Sequence, residues 1–113
     1  MGETGIVGIE RGIPFSGAAE RLMQIASTSV DVGIRGASLR ALKELPDKTG
    51  VIPFLSDFAA SQNRVAYVAL TLLANETGVE GRRIARTLYL AGRITEPTAK
   101  EIAAGLAQAY GWR

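Results

Sequence analysis

Residues 65–74, VAYVALTLLA, constrain the fold more than any other stretch of this chain. Only Tyr67 and Thr71 carry a polar side-chain atom there, and at i, i+4 they share a single edge of a helix. A helix that is apolar around the rest of its circumference has to be covered by protein on nearly all sides. The chain must therefore supply several other helices to surround this one. Its 113 residues are enough for one domain with a single core.

The neighbouring segments have the matching character. SGAAERLMQIAS places Ala18, Leu22, Ile25 and Ala26 on one helical face, with Ser16 as N-cap. Asp31 precedes a helix whose inward residues read as Ile34, Ala37, Ala41, Leu42 and Leu45, stopped before Pro46. VIPFLSDFAAS turns Val51, Phe54, Leu55 and Phe58 inward, with Pro53 in its first turn. The apolar helix ends at Gly78 in the C′ position. Two more helices follow, with Ile84, Leu88 and Ala91 inward in one and Ile102, Leu106 and Ala109 inward in the other. Thr95 and Pro97 mark the start of the second. The expectation is an all-α fold: six short helices as about three antiparallel hairpins, arranged as a stack or a compact bundle, over residues 17–113. Residues 1–16 read as an N-terminal arm, since residues 1–17 hold five glycines, each costly to order in a helix. Ile6, Val7, Ile9 and Ile13 give that arm apolar groups to dock.

Composition removes several functions. There is no cysteine and no histidine, so disulfides, thiol nucleophiles, Cys/His zinc sites, imidazole bases and Ser-His-Asp triads are all excluded. The remaining carboxylates, among them Glu44, Glu76, Glu80, Glu96 and Glu101, sit near helix ends without pairing. The expectation is a chain that is not an enzyme and uses no cofactor or metal. No apolar run approaches the ~18 residues of a membrane span, and no signal-peptide pattern opens the sequence, which points to a cytoplasmic protein. A net charge of +2 is too small an excess to decide for nucleic acid.

An internal repeat is the next constraint. Ala41-Leu42-x-x-Leu45 superposes on Ala69-Leu70-x-x-Leu73 with a period of 28, and each copy is followed six residues later by Val51 or Val79. Asp31-x-x-Ile34-Arg35-x-Ala37-x-x-x-Ala41-Leu42-x-x-Leu45, followed by Val51-Ile52-Pro53-Phe54-Leu55, resembles the short HEAT repeats of the phycobilin-lyase type. The spacing from Arg35 to Pro53 is one residue longer than that pattern. The second copy keeps Arg64 and lacks the preceding Asp, and the third has Pro97-Thr98 in place of the Arg. The resemblance implies that Asp31, Arg35 and Arg64 tie adjacent hairpins together and that the inner helical face binds a partner. On that face Tyr67 and Thr71 are the polar positions, with Arg40 and Lys43 on the helix before, so these four are the candidate partner-binding residues. Their alternative role is structural, with Tyr67 keeping its hydroxyl wet at the core's edge.

Two further features carry candidate chemistry. DKTG, from Asp47 to Gly50, resembles the phosphorylation motif of P-type ATPases, yet it follows a helix instead of a buried strand, and Asp and Gly are ordinary turn residues. It reads as a turn. Arg82, Arg86, Tyr89 and Arg93 fall at i, i+4, i+7 and i+11 along one helical stripe, with Arg83 beside it. A basic stripe with an aromatic suits a phosphate backbone, as in non-sequence-specific nucleic-acid binding, or an acidic protein, and its bland reading is a solvated face whose Arg stems cover apolar surface. The first expectation is a non-catalytic protein–protein interaction or assembly module, with nucleic-acid binding through the stripe as the alternative. The last helix carries few charges after Glu101. A poorly capped stack end then adds self-association, through the C-terminal end or the N-terminal arm.

Overall fold

The computed structural model describes residues 14–46 and 50–113, with side chains from residue 17 onward. It is all-helical: α1 (Pro14–Thr28), α2 (Val32–Leu42), α3 (Val51–Ala59), α4 (Ala66–Glu76), α5 (Gly78–Leu90) and α6 (Pro97–Tyr110). The described residues form no strand. None of these helices is long and apolar enough to cross a membrane. The apolar arm residues Ile6 to Ile13, and all of the DKTG motif except Gly50, lie outside the described residues.

Helix ends follow local chemistry. Asp31 has extended backbone angles and its carboxylate accepts the Ile34 N–H at 3.1 Å, an N-cap worth about 1 kcal/mol. Glu96, not Thr95, caps α6: its carboxylate accepts the Ala99 N–H at 2.9 Å, and Pro97 follows at N1. The first helix begins at Pro14, so Ser16 lies within its backbone and is not its cap. Gly78 adopts φ +82, left-handed as expected of the residue that separates α4 from α5.

Helix α4 contacts both α2 and α6. It is also covered by α3 and α5, which touch each other, while α1 packs on α2. The all-round apolar helix is thus the central one, and Ala66, Ala69, Leu70, Leu73 and Ala74 are fully buried. Polar ties join the units at their edges. Arg35 donates through Nε to the Ser29 carbonyl and through Nη1 to Asn63 Oδ1 at 3.3 Å, a bond between residues 28 apart. Gln62 bonds Thr95 across the loops before α4 and α6, and the Tyr110 hydroxyl donates to Asn75 at the other ends of the same two helices. Arg35 therefore links the start of α2 to the loops before α2 and α4. Asp31 is occupied with its own helix, and Arg64 is exposed.

Three helices are rotated relative to the sequence reading. In α2 the buried residues are Gly36, Ser38, Leu39 and Leu42, whereas Ile34 is 49% exposed and Ala37 is exposed. In α5, Gly81 and Ala85 are buried, Ile84 and Leu88 are half-buried, and Ala91 is exposed. In α6 the Ala99, Ala103 and Ala107 row faces the core, and Ile102 and Ala109 are exposed. Small residues allow close helix approach, so in α5 and α6 the row of smallest side chains faces the neighbour, whereas in α2 Leu39 and Leu42 are buried beside Gly36 and Ser38.

Gly105 sits on the outer side of α6, where an added Cβ would meet no atom within 4 Å. Gly105→Ala removes a helix-interior glycine without cost and is expected to raise stability by about 1 kcal/mol, read as a melting temperature roughly 4 °C higher by circular dichroism. A lower melting temperature would show that this face is covered.

Candidate functional site

Helix α4 presents Tyr67 and Thr71, the polar side chains of its central stretch, toward the gap between α2 and α6. Tyr67 and Thr71 are half-buried, and the Thr71 hydroxyl donates to the Tyr67 carbonyl at 2.8 Å, which occupies its proton. From α2, Arg40 lies back along its own helix over Gly36: a Cβ at that glycine would come within 3.3 Å of Arg40 Nη1. Glycine at 36 therefore leaves room for the guanidinium, since an added Cβ would also meet Val68 Cγ2 at 3.8 Å. From α6, the 36%-exposed Ile102 closes the third side. Arg40, Tyr67, Val68, Thr71, Leu72 and Ile102 line one cleft of ≈ 200 Å³.

The fourth residue expected there, Lys43, does not line the cleft. Its ammonium pairs with Glu76 at 3.5 Å and Glu44 at 3.9 Å, clamping the C-terminal end of α2 to that of α4. Ile102 was read as a core residue, and the sequence offers one sign of its real place. The Ala99/Ala103/Ala107 row at i, i+4 spacing can face a close neighbour only if Ile102 lies to one side of it.

The basic stripe on α5 is divided by the fold. Gly111, at φ 69, ends α6 and lets the Trp112 N–H return to the Ala107 carbonyl at 2.9 Å. This swings Trp112 under α5, where it is 7% exposed and packs on Tyr89 with ring centroids 5.9 Å apart. Tyr89 thus belongs to the packing of the C-terminal turn. Arg82 donates from Nε to the Ala74 carbonyl at 2.9 Å and lies over the Tyr110 ring at 4.3 Å. Arg86 donates to the Arg113 carbonyl at 2.8 Å. Arg83 and Arg93 are exposed. A second cleft, of ≈ 450 Å³, is lined by Val79, Arg82, Arg83, Arg86, Tyr110, Gly111 and Trp112. Arg93 and Tyr89 are not among its walls. The aromatic residues that complete it come from the C-terminal turn, more than twenty residues away in sequence, so the α5 periodicity alone carries no sign of them.

No family model, curated protein or solved structure matches this chain.

Proposed function

We propose that this chain is a non-catalytic protein–protein interaction module on a HEAT-like helical scaffold, with its partner seated on the α2–α4–α6 face. The observation that carries this reading is the convergence of Arg40, Tyr67 and Ile102, from three separate helices, on one cleft. Arg and Tyr are the side chains most enriched at the energetic centres of interfaces, because each combines a broad apolar body with hydrogen-bonding capacity. The cleft's ≈ 200 Å³ falls below the roughly 300–1,000 Å³ of pockets that enclose a small molecule. It suits one or two inserted side chains of a protein. No carboxylate is among the lining residues, and the Thr71 hydroxyl is committed to a main-chain carbonyl, so the donor set favours recognition over reaction.

Affinity capture with the wild-type chain and the Tyr67→Ala and Arg40→Glu variants tests this, with nuclease-treated lysate and quantitative mass spectrometry. Both positions lie at the rim of the core, so the variants are expected to keep the wild-type helical circular dichroism. A stoichiometric protein that survives nuclease and drops about tenfold or more with each variant is the expected result. Equal recovery by all three chains, or partners that disappear with nuclease, removes the reading.

A further inference from the structure

We propose that the second cleft, between α5 and the Tyr110–Trp112 turn, binds an acidic, aliphatic peptide segment of a protein partner. It is a site separate from the α2–α4–α6 face and does not depend on it. Arg82, Arg83 and Arg86 all line this cleft, and no acidic residue does. Among the described residues the side-chain ion pairs are those of Lys43 with Glu44 and Glu76, so no side-chain carboxylate pairs with the three guanidiniums, and only Arg86 meets a negative group, the main-chain oxygen of Arg113. Arg82 and Arg83 thus lack a counter-charge, and a carboxylate bound beside them supplies one while accepting charge-assisted hydrogen bonds.

Two of the three are also preorganised. Arg82 is held by its Nε bond to the Ala74 carbonyl and by the Tyr110 ring, and Arg86 by its bond to the Arg113 carbonyl. Their remaining N–H groups are already fixed, so less rotamer entropy is lost when an anion arrives. Arg83 is exposed and makes no side-chain hydrogen bond or ion pair among the described residues, so it is free to close over the ligand.

The aromatic groups favour a peptide over nucleic acid. Binding of single strands draws on open aromatic faces on which bases stack. Here Trp112 is 7% exposed, Tyr89 is half-buried against it, and Tyr110 carries Arg82 on its ring while stacking with Trp112 at 5.9 Å. What the cleft does offer beside its charge is Val79, 74% exposed, which matches an aliphatic side chain next to an acidic one.

Trp112 is the only tryptophan in the chain and reports on the cleft directly. The full chain would be titrated with a short capped peptide of Glu-Glu-Leu repeats, with its Gln-Gln-Leu counterpart, and with a short deoxythymidine oligonucleotide, in about 50 mM salt, where charge interactions are weakly screened. The expected result is a saturable change in Trp112 emission with the Glu peptide only, weakened about tenfold by Arg83→Glu. Arg82→Lys, which keeps the charge but loses the Nε donor and the planar stack, is expected to weaken it several-fold. An absent response to the Glu peptide overturns the proposal, as does an equal response in Arg83→Glu or to the Gln peptide. A response to the oligonucleotide that Arg83→Glu abolishes would reassign the cleft to nucleic acid. Tyr67→Ala leaves this titration unchanged, which separates failure here from failure at the α2–α4–α6 face.

Discussion

Leu70→Ala is expected to destabilise the chain by about 3–5 kcal/mol, the upper range for deleting a buried leucine side chain. Leu70 is 0% exposed and sits on α4, the helix that contacts α2, α3, α5 and α6. Neighbours on four sides cannot all relax into the space left, so the cavity term adds fully to the lost transfer energy. A domain of this size has only about 5–15 kcal/mol of total stability, so the variant would be near its folding limit. Urea denaturation followed by circular dichroism should show a large fall in midpoint at unchanged slope. Ile34→Ala is the control: Ile34 is 49% exposed, and its truncation should cost less than about 1 kcal/mol. A loss at Leu70 no greater than that at Ile34 would remove α4 from the centre of the fold.

That contrast also marks what could be read from the residues. The identity and order of the helices follow from periodicity, and the central place of α4 follows from its lack of a polar face. Pro53, Gly78 and Pro97 act where their backbone preferences put them. The rotation of α2, α5 and α6 is harder to see. A pattern search weights Ile34 and Ile102 above glycine and alanine because they have more apolar area to bury. Close helix approach reverses the order in α5 and α6: where Gly81 or the Ala99/Ala103/Ala107 row faces a neighbour, the larger residues are displaced to the side, while in α2 the face is turned onto Leu39 and Leu42. Ile102 thereby leaves the core and becomes a wall of the α2–α4–α6 cleft.

The candidate sites divide along the same line. Tyr67 and Thr71 stand out in the sequence because the middle of α4 is otherwise apolar, and with Arg40 of α2 they line one cleft. Lys43 was misplaced because its partner Glu76 lies 33 residues on, and an ion pair across that distance leaves no local pattern. The α5 arginines were legible as a stripe, whereas the surface they help to form was not. It depends on Gly111 reversing the chain, a backbone event that places Trp112 against Tyr89.

Gly81→Ala should be the other strongly destabilising change, with an expected net cost of about 1–3 kcal/mol. Alanine normally gains about 1 kcal/mol over glycine inside a helix, so the sign is decided by what the new methyl meets. Its Cβ would lie 1.5 Å from the Thr77 hydroxyl oxygen, 2.8 Å from Thr77 Cβ and 2.7 Å from the Leu73 carbonyl oxygen. Rotation of Thr77 relieves the first contact by breaking the 2.8 Å bond between its hydroxyl and that same carbonyl, a loss of about 1 kcal/mol. The carbonyl is main chain of the central helix and cannot swing away, so α5 must shift, at the 1–3 kcal/mol typical of overpacking. Together these exceed the propensity gain. Thr77→Ala with Gly81→Ala separates the contributions: the pair should cost less than the sum of the two single changes yet remain below wild type, because the carbonyl contact persists. Full recovery in the double variant would place the whole clash on the hydroxyl. A shift of α5 also moves Arg82, the next residue, away from the Ala74 carbonyl that holds it. Gly81→Ala chains that still fold should therefore bind the acidic peptide several-fold more weakly, although residue 81 does not line the cleft.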